Sequence, residues 1–146
     1  TVAQLIGNFD NNAYQSTEKN TGLKPGTTNW VETIPIPVTV TSLARGQQRF
    51  NISCLPCHGA AGDGNGITKK IGAMAVVANL HDPRIAKLPD GEIFSVISHG
   101  RNLMQGYGSN IEIEDRWAIV AYVRALQRAR LATLDEVPAP DRALLK

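Results

Sequence analysis

Two stretches of the chain carry apolar residues at helical spacing, one before the centre of the sequence and one near its end. In the first, Gly46, Phe50 and Cys54 follow one another at four-residue intervals, which places them on one face of a helix. We therefore predict a helix that runs from about Leu43 into residues 54–58. A glycine within that face predicts the close approach of another backbone, because glycine weakens a helix interior.

The second stretch predicts a long helix over about residues 112–129. Acidic residues gather at its start and arginines at its end, where the helix dipole favours each of them. Its apolar side comprises Ile113, Trp117, Val120, Ala121 and Tyr122. A shorter helix between the two is predicted to begin with capping by Asp90 and to end at Gly100. The predicted fold class is all-α.

Residues 1–41 differ from the rest of the chain. Asn, Thr, Gly and Pro dominate them, and prolines that alternate with β-branched residues over residues 34–38 favour extended backbone. The predicted organisation is an extended irregular arm over residues 1–41, a folded domain over residues 42–131 and a loose tail over residues 132–146. The arm either lies on its own domain or docks a partner, for which the aromatic anchors would be Phe9, Tyr14 and Trp30.

The totals narrow the class of protein. With 146 residues the chain makes one domain, and a hydrophobic content of 42% is enough for a modest core. A formal net charge of +2 does not by itself indicate nucleic acid or an acidic membrane surface as a partner. No run approaches ~18 consecutive apolar residues, so no bilayer-spanning segment is predicted.

The most specific signal in the chain is the five-residue sequence Cys54-Leu55-Pro56-Cys57-His58, called the attachment motif below. It contains both cysteines of the chain, and C-x-x-C-H is the attachment sequence for a c-type haem. The two thiols add to the two vinyl groups of the porphyrin, while the histidine that follows reaches the iron as the proximal ligand. We therefore predict one covalent haem c bound through Cys54 and Cys57, with His58 on the iron.

Three other kinds of site also use closely spaced cysteines. A thioredoxin-like pair sits at a strand-to-helix junction, and no strand-rich pattern precedes Cys54. A zinc site would need His81 and His99 beside the two thiols, at spacings that match no compact zinc module. A disulfide across two residues would be strained and would leave His58 without a role. Haem is the interpretation that uses all three side chains of the motif.

With these residues in view, the chain resembles a class I cytochrome c over about residues 42–130. The resemblance rests on Gly46, Phe50, the attachment motif, a methionine-bearing loop and a final helix with Ile119-Val120-Ala121-Tyr122-Val123. In that family the first and last helices cross at the glycine and pack aromatic rings there. Gly46, Phe50 and Tyr122 match those positions. The resemblance implies the class I fold, with helices wrapped round one haem.

A narrower resemblance is to the monohaem cytochrome c subunit of bacterial alternative complex III, a quinol-oxidising membrane assembly. The segments that carry it are Pro35-Ile36-Pro37-Val38-Thr39, Leu43-x-Arg45-Gly46-x-x-Arg49-Phe50 and Glu114-Asp115-Arg116-Trp117-Ala118-Ile119-Val120 with the residues that follow to Leu126. This implies a respiratory-chain relay between a quinol-oxidising complex and a terminal acceptor. Two departures stand out: Gln105 follows Met104 where many relatives have proline, and no proline between Cys57 and Pro83 presents a carbonyl to His58.

Four side chains are candidates for the sixth iron ligand: Met104, Met74, His81 and His99. The resemblance favours Met104, which lies in a glycine-flanked loop before the final helix, at the family's position for the distal ligand. Met74 is expected in the core or lining the haem pocket, and His99 is expected at a helix end favoured by the dipole. His81 is expected to be exposed.

Histidine–methionine ligation leaves no open position on the iron, which predicts an electron carrier and not an enzyme. The alternative is a haem-based enzyme or gas sensor with a labile sixth ligand. The expected partners are other redox proteins, either subunits of a membrane respiratory complex or a terminal oxidase, and no nucleic acid. Because haem is attached to this motif outside the bacterial cytoplasm, we expect a periplasmic location and a leader upstream of Thr1. A lipid anchor upstream is an open alternative.

Overall fold

The structure is a computed structural model that describes residues 17–142, and helices account for most of its regular structure, as predicted. The helices are α1 (Glu18–Thr21), α2 (Val40–Ser53), α3 (Leu55–His58), α4 (Ile67–Lys70), α5 (Pro83–Ala86), α6 (Asp90–His99), α7 (Ile113–Leu131) and α8 (Ala139–Arg142). A 3-10 helix spans Leu134–Glu136. Two short antiparallel strands, β1 (Gly100–Arg101) and β2 (Met104–Gln105), follow α6 and pair Gly100 with Gln105 and Arg101 with Met104.

Helix α2 begins at Val40, before the predicted start at Leu43. The Thr39 amide donates to Ser42 Oγ at 2.7 Å, and the Ser42 amide donates back to Thr39 Oγ1 at 3.1 Å. This reciprocal pair satisfies two amides that the first turn of a helix leaves without partners. The helix therefore starts one turn earlier than its apolar periodicity indicates.

The predicted capping of α6 by Asp90 is wrong. Pro89 occupies the capping position without a side-chain hydrogen bond, and Asp90 is the first helical residue. The early amides of α6 instead find backbone acceptors: the Gly91 amide donates to the Val31 carbonyl at 3.0 Å. A neighbouring segment thus supplies acceptors to amides of the first turn of α6. Gly100, at φ 81°, ends the helix as predicted.

The described chain divides into two compact units. The first unit contains residues 17–50 and 87–122, and the second contains residues 51–86 and 123–142. Helices α2 and α7 each contribute residues to both units. Within residues 17–142, no helix is both long enough and apolar enough to cross a lipid bilayer.

The first unit contains the helix crossing that the resemblance implies. A Cβ atom at Gly46 would lie 2.0 Å from the carbonyl oxygen of Ala118 on α7, a distance that only a glycine tolerates. The Phe50 and Tyr122 rings pack edge to face, with centroids 5.4 Å apart and planes inclined by 62°. The predicted crossing at Gly46 with aromatic packing beside it is confirmed.

Charged side chains reinforce the same helix pair. Asp115, at the buried side of α7, accepts hydrogen bonds from Arg45 Nε at 2.7 Å and Arg45 Nη2 at 2.9 Å, and Arg49 Nε lies 2.8 Å from its second oxygen. The hydrogen bonds from Arg45 and the charges of both arginines hold the pKa of Asp115 below its usual value. A bidentate arginine pair on a largely buried carboxylate fixes the register of α2 on α7.

Residues 17–32 lie against α6 and α7 within the first unit. The Trp117 indole N–H donates to the Lys19 carbonyl at 2.7 Å, and Lys19 also pairs with Glu114. A Cβ atom at Gly91 would lie 2.0 Å from the Gly22 carbonyl oxygen. This part of the predicted arm is therefore packed on its own domain. The half-buried Trp30 belongs to it, bridged to Leu23, whereas the predicted anchors Phe9 and Tyr14 lie outside the described residues.

Candidate haem-attachment site

The attachment motif forms a single helical turn in the second unit. Cys54 stands at the capping position of α3, and its carbonyl accepts hydrogen bonds from the amides of Cys57 at 3.1 Å and His58 at 2.8 Å. Residues three and four apart on a helical turn point to the same side. Two thiols and an imidazole therefore lie within one helical turn, and no disulfide joins the two cysteines.

The environment of Cys54 argues against thiol redox chemistry. The residue is buried, and this burial, with a smaller contribution from the neighbouring Cys57, raises the pKa of the Cys54 thiol to about 12. Redox-active cysteines work as thiolates and have lowered pKa values. A zinc site also lacks support, since the described residues contain no group of three or more cysteine, histidine or carboxylate side chains that could hold a metal ion.

His58 has the hydrogen-bond partner that the sequence could not name. Its Nδ1 lies 3.1 Å from the carbonyl oxygen of Ala78. A carbonyl only accepts, so Nδ1 carries the proton and the lone pair lies on Nε2. Burial lowers the pKa of His58, and the bond to Ala78 opposes that shift only in part. The ring is thus held as a neutral imidazole whose Nε2 can bind a metal.

Residues 59–66 form a loop after the attachment motif, called the glycine-rich loop below. Its glycines let it lie close to the backbone of the motif. The Gly64 amide donates to the His58 carbonyl at 2.8 Å, and the Gly66 amide donates to the Cys57 carbonyl at 3.1 Å. A Cβ atom at Gly66 would lie 2.2 Å from the Pro56 carbonyl oxygen. The glycine-rich loop therefore donates hydrogen bonds to the last carbonyls of the motif turn. Its composition alone did not predict this role.

The second unit, which contains the motif, also has exposed apolar residues. Five aliphatic side chains of the second unit are more than half exposed: Ile52, Ile67, Ile71, Val76 and Leu131. A concentration of exposed large aliphatic residues is a feature of binding surfaces. Two thiols and an imidazole whose Nε2 can bind a metal are the donor set that a covalently attached haem requires. These residues fit the group.

Met74 lies beside the motif, with its Sδ 3.6 Å from Cys57 Sγ. It is half-buried, in agreement with a position in the core or lining a haem pocket. His99, the last residue of α6, is exposed, and its Nδ1 lies 3.1 Å from the Ser95 carbonyl oxygen one turn earlier. This is the helix-end histidine that the sequence predicted.

The expectation that His81 is exposed is wrong. Only 6% of its surface is exposed, and its Nε2 lies 2.6 Å from the Ala61 carbonyl oxygen. This contact joins the buried ring of His81 to the glycine-rich loop. Its Nδ1 has no hydrogen-bond partner among the described residues.

Met104 belongs to the first unit and lies in the β1–β2 hairpin, where the sequence predicted an irregular loop. Asn102, at φ 54°, makes the tight turn between the strands. After the hairpin, the Tyr107 amide donates to the Ile97 carbonyl at 2.8 Å and the Gly108 amide donates to the Ser98 carbonyl at 3.0 Å. Met104 is half-buried, and its backbone is fixed without the proline that many relatives have after it.

The chain is similar to known proteins in sequence and in structure. Residues 41–123 match the family model described as cytochrome c oxidase, cbb3-type, subunit III. One chain of the solved reducing HAO-like protein complex of Kuenenia stuttgartiensis is similar in structure, with a TM-score of 0.51 and 17% sequence identity. The similarity covers 64% of the present chain and 48% of that chain, so the present chain spans about half its length. At this identity the likeness concerns the fold alone. The curated proteins contain no match.

Proposed function

This chain belongs to the cytochrome c family described as cbb3-type cytochrome c oxidase subunit III, and we propose that it carries single electrons through one haem c attached at Cys54 and Cys57. Its architecture is the all-α class I cytochrome c fold that the sequence predicted. The family indicates haem-based electron transfer. The number of haems, their covalent attachment and the axial ligands are parts of the proposal.

The observation that carries the proposal is the hydrogen bond between His58 Nδ1 and the Ala78 carbonyl oxygen. It fixes the tautomer in which Nε2 is the donor atom. Such a partner strengthens the imidazole as a metal ligand. When bound, the haem supplies a one-electron couple between ferrous and ferric iron. The chain contributes the two thiols that would hold the haem and the proximal ligand.

We assign the sixth ligand to Met104. The family resemblance places the distal methionine in this loop, and the hairpin supports the residue with a defined backbone. The competing side chains have other engagements: His81 Nε2 lies against the Ala61 carbonyl, and Met74 lies beside Cys57. A thioether ligand raises the reduction potential relative to a second histidine and leaves no coordination position for a small molecule.

The biological setting is also part of the proposal. The resemblance to alternative complex III supports a respiratory relay between a quinol-oxidising complex and a terminal acceptor, in the bacterial periplasm and near a membrane complex. The structural neighbour is itself described as part of a protein complex, which agrees with redox proteins as partners. The division into an arm, a cytochrome domain and a tail at residues 41 and 132 belongs to this proposal.

A truncation tests the docking role of the arm. Removal of residues 1–16 leaves in place every contact described for residues 17–32 and for the attachment motif, so the haem spectrum should not change. Weaker binding to a candidate partner complex would support docking, and unchanged binding would rule out these residues as the docking element.

Carbon monoxide distinguishes the electron carrier from a haem enzyme or gas sensor. We expect the reduced wild-type protein to show a low-spin c-type spectrum that carbon monoxide does not change. Met104→Ala should bind carbon monoxide readily, and Met74→Ala, the matched methionine control, should not. Rapid binding by the wild-type protein would contradict the proposal and favour a labile sixth ligand. Mass spectrometry of Cys54→Ala and Cys57→Ala, in which haem attachment should be impaired, tests the covalent link.

A further inference from the structure

The Ala78 carbonyl lies in a segment that has no secondary structure of its own. Residues 76–79 belong to no helix or strand, so no regular ladder of backbone hydrogen bonds fixes the carbonyl that holds His58. Side chains and isolated backbone contacts must therefore do so. The contacts that follow involve residues 78–81, called the carbonyl segment here.

His81 ties the carbonyl segment to the glycine-rich loop. Its Nε2 lies 2.6 Å from the Ala61 carbonyl oxygen, and since a carbonyl only accepts, Nε2 carries the proton. One residue earlier, the Leu80 amide donates to the Gly62 carbonyl at 2.8 Å. These two bonds, made by adjacent residues, hold the carbonyl segment against the glycine-rich loop. Amides of the same loop donate to carbonyls of the attachment motif.

Gln127 ties the same segment to α7. Its Nε2 donates to the Leu80 carbonyl at 2.7 Å, and its Oε1 accepts from Arg124 Nη1 at 2.8 Å. The arginine has donors alone, so it fixes which end of the carboxamide faces Leu80. Only 5% of the Gln127 surface is exposed, and a buried carboxamide with both ends bonded is held rigidly. Arg124 is anchored in turn to the Ala86 carbonyl at 2.9 Å.

We propose that His81 and Gln127 are positioning residues for the proximal ligand, because together they hold the Ala78 carbonyl on His58 Nδ1. Neither side chain contacts His58 in the bonds described; both act on the segment that carries its acceptor. The inference rests on the proposed function, since it concerns His58 as the iron ligand. A firm acceptor makes the imidazole a stronger donor to ferric iron, and a loosened one weakens it.

Two variants remove one tie each from the holoprotein. Gln127→Met keeps the length of the side chain without its donor, and His81→Phe keeps a ring without a donor. His81→Gln can still donate to the Ala61 carbonyl and serves as the conservative rescue. Gln48→Met, an exposed glutamine on α2, is the matched control. If His81→Phe does not mature with haem, the smaller His81→Leu, which also has no donor, replaces it.

Two measurements go beyond stability. In Gln127→Met and His81→Phe, the His58 Nδ1 proton, followed by NMR, should exchange with solvent about fivefold to tenfold faster, the factor expected for one lost hydrogen bond. The reduction potential should rise, by about 59 mV if stabilisation of the ferric form weakens tenfold. His81→Gln and Gln48→Met should behave like the wild-type protein.

The proposal is overturned if both variants only lower the thermal stability and leave proton exchange and potential unchanged. That outcome would leave the proposed function intact, provided that the wild-type protein still shows a low-spin spectrum insensitive to carbon monoxide. If the wild-type spectrum itself shows that His58 is not a ligand, both the proposed function and this inference fail.

Discussion

The helix crossing at Gly46 allows a quantitative prediction, because substitution by alanine has two opposing effects. On an exposed helix face the change from glycine to alanine would stabilise the helix by about 1 kcal/mol. At Gly46 the new Cβ atom would lie 2.0 Å from the Ala118 carbonyl oxygen, 2.6 Å from the Ala118 carbonyl carbon and 3.1 Å from Tyr122 Cβ. Two of these three neighbours are backbone atoms, so no side-chain rotation relieves the overlap.

The helices must separate to accommodate the methyl group. Overpacking of this kind costs up to about 3 kcal/mol, and we take that upper value because backbone meets backbone. After subtraction of the gain in helix propensity, we expect Gly46→Ala to lower the free energy of unfolding by about 2 kcal/mol. For a chain of this size that corresponds to a decrease in Tm of about 4–8 °C.

The assay is thermal unfolding of the ferric holoprotein, followed by circular dichroism and by haem absorption. Thr41→Ala is the matched control, since it introduces alanine at an exposed position of the same helix and should change Tm little. A Gly46→Ala protein at least as stable as the wild-type protein would refute this description of the crossing. The gain in helix propensity would then be at least as large as the cost of the steric overlap.

Two further predictions concern the first unit. The pKa of Asp115 is lowered in the folded state by Arg45 and Arg49, so its contribution to stability is present above its unfolded pKa of about 3.9 and is lost as the pH falls through the folded value. Asp115→Asn should lower Tm at neutral pH and flatten the loss of stability below about pH 4, measured by unfolding at several pH values; an unchanged pH profile would contradict the assignment. Gly91→Ala should separate residues 17–32 from α6, because its Cβ would lie 2.0 Å from the Gly22 carbonyl oxygen. Hydrogen exchange of the Val31 amide and the Trp117 indole should then accelerate, and unchanged protection would show that these contacts do not depend on the glycine.

The sequence predicted those features that depend on the type of residue. The attachment motif needs two thiols and an imidazole, and the crossing needs a glycine at residue 46 with aromatic residues at 50 and 122, so both could be read from the chain. The long helices follow from apolar periodicity. Their ends were less accurate, since α2 starts with a reciprocal bond between Thr39 and Ser42 that adds a turn without any apolar residue in register.

The missed features depend on backbone atoms or on neighbours distant in sequence. Every residue has a carbonyl, so nothing in the sequence singles out Ala78 as the partner of His58. The sequence did not predict the burial of His81 and Gln127. His81 lies in the carbonyl segment and Gln127 bonds to it, and that segment has no apolar periodicity. Asp90 has the residue type of a helix cap, but it is the first residue of α6. The first amides of α6 donate to the backbone carbonyls of residues 31 and 32, which the sequence does not indicate. The close spacing of glycines after the motif was the available signal for tight backbone packing there.

The measurement that tests the central claim most directly is the near-infrared absorption spectrum of the ferric holoprotein. A thioether sulfur on ferric haem iron gives a weak charge-transfer band in that region. We predict that the wild-type protein shows this band, that Met104→Ala and Met104→His lose it, and that Met74→Ala retains it. A wild-type protein without the band, or a band that survives the loss of Met104 and disappears with Met74, would contradict ligation by His58 and Met104.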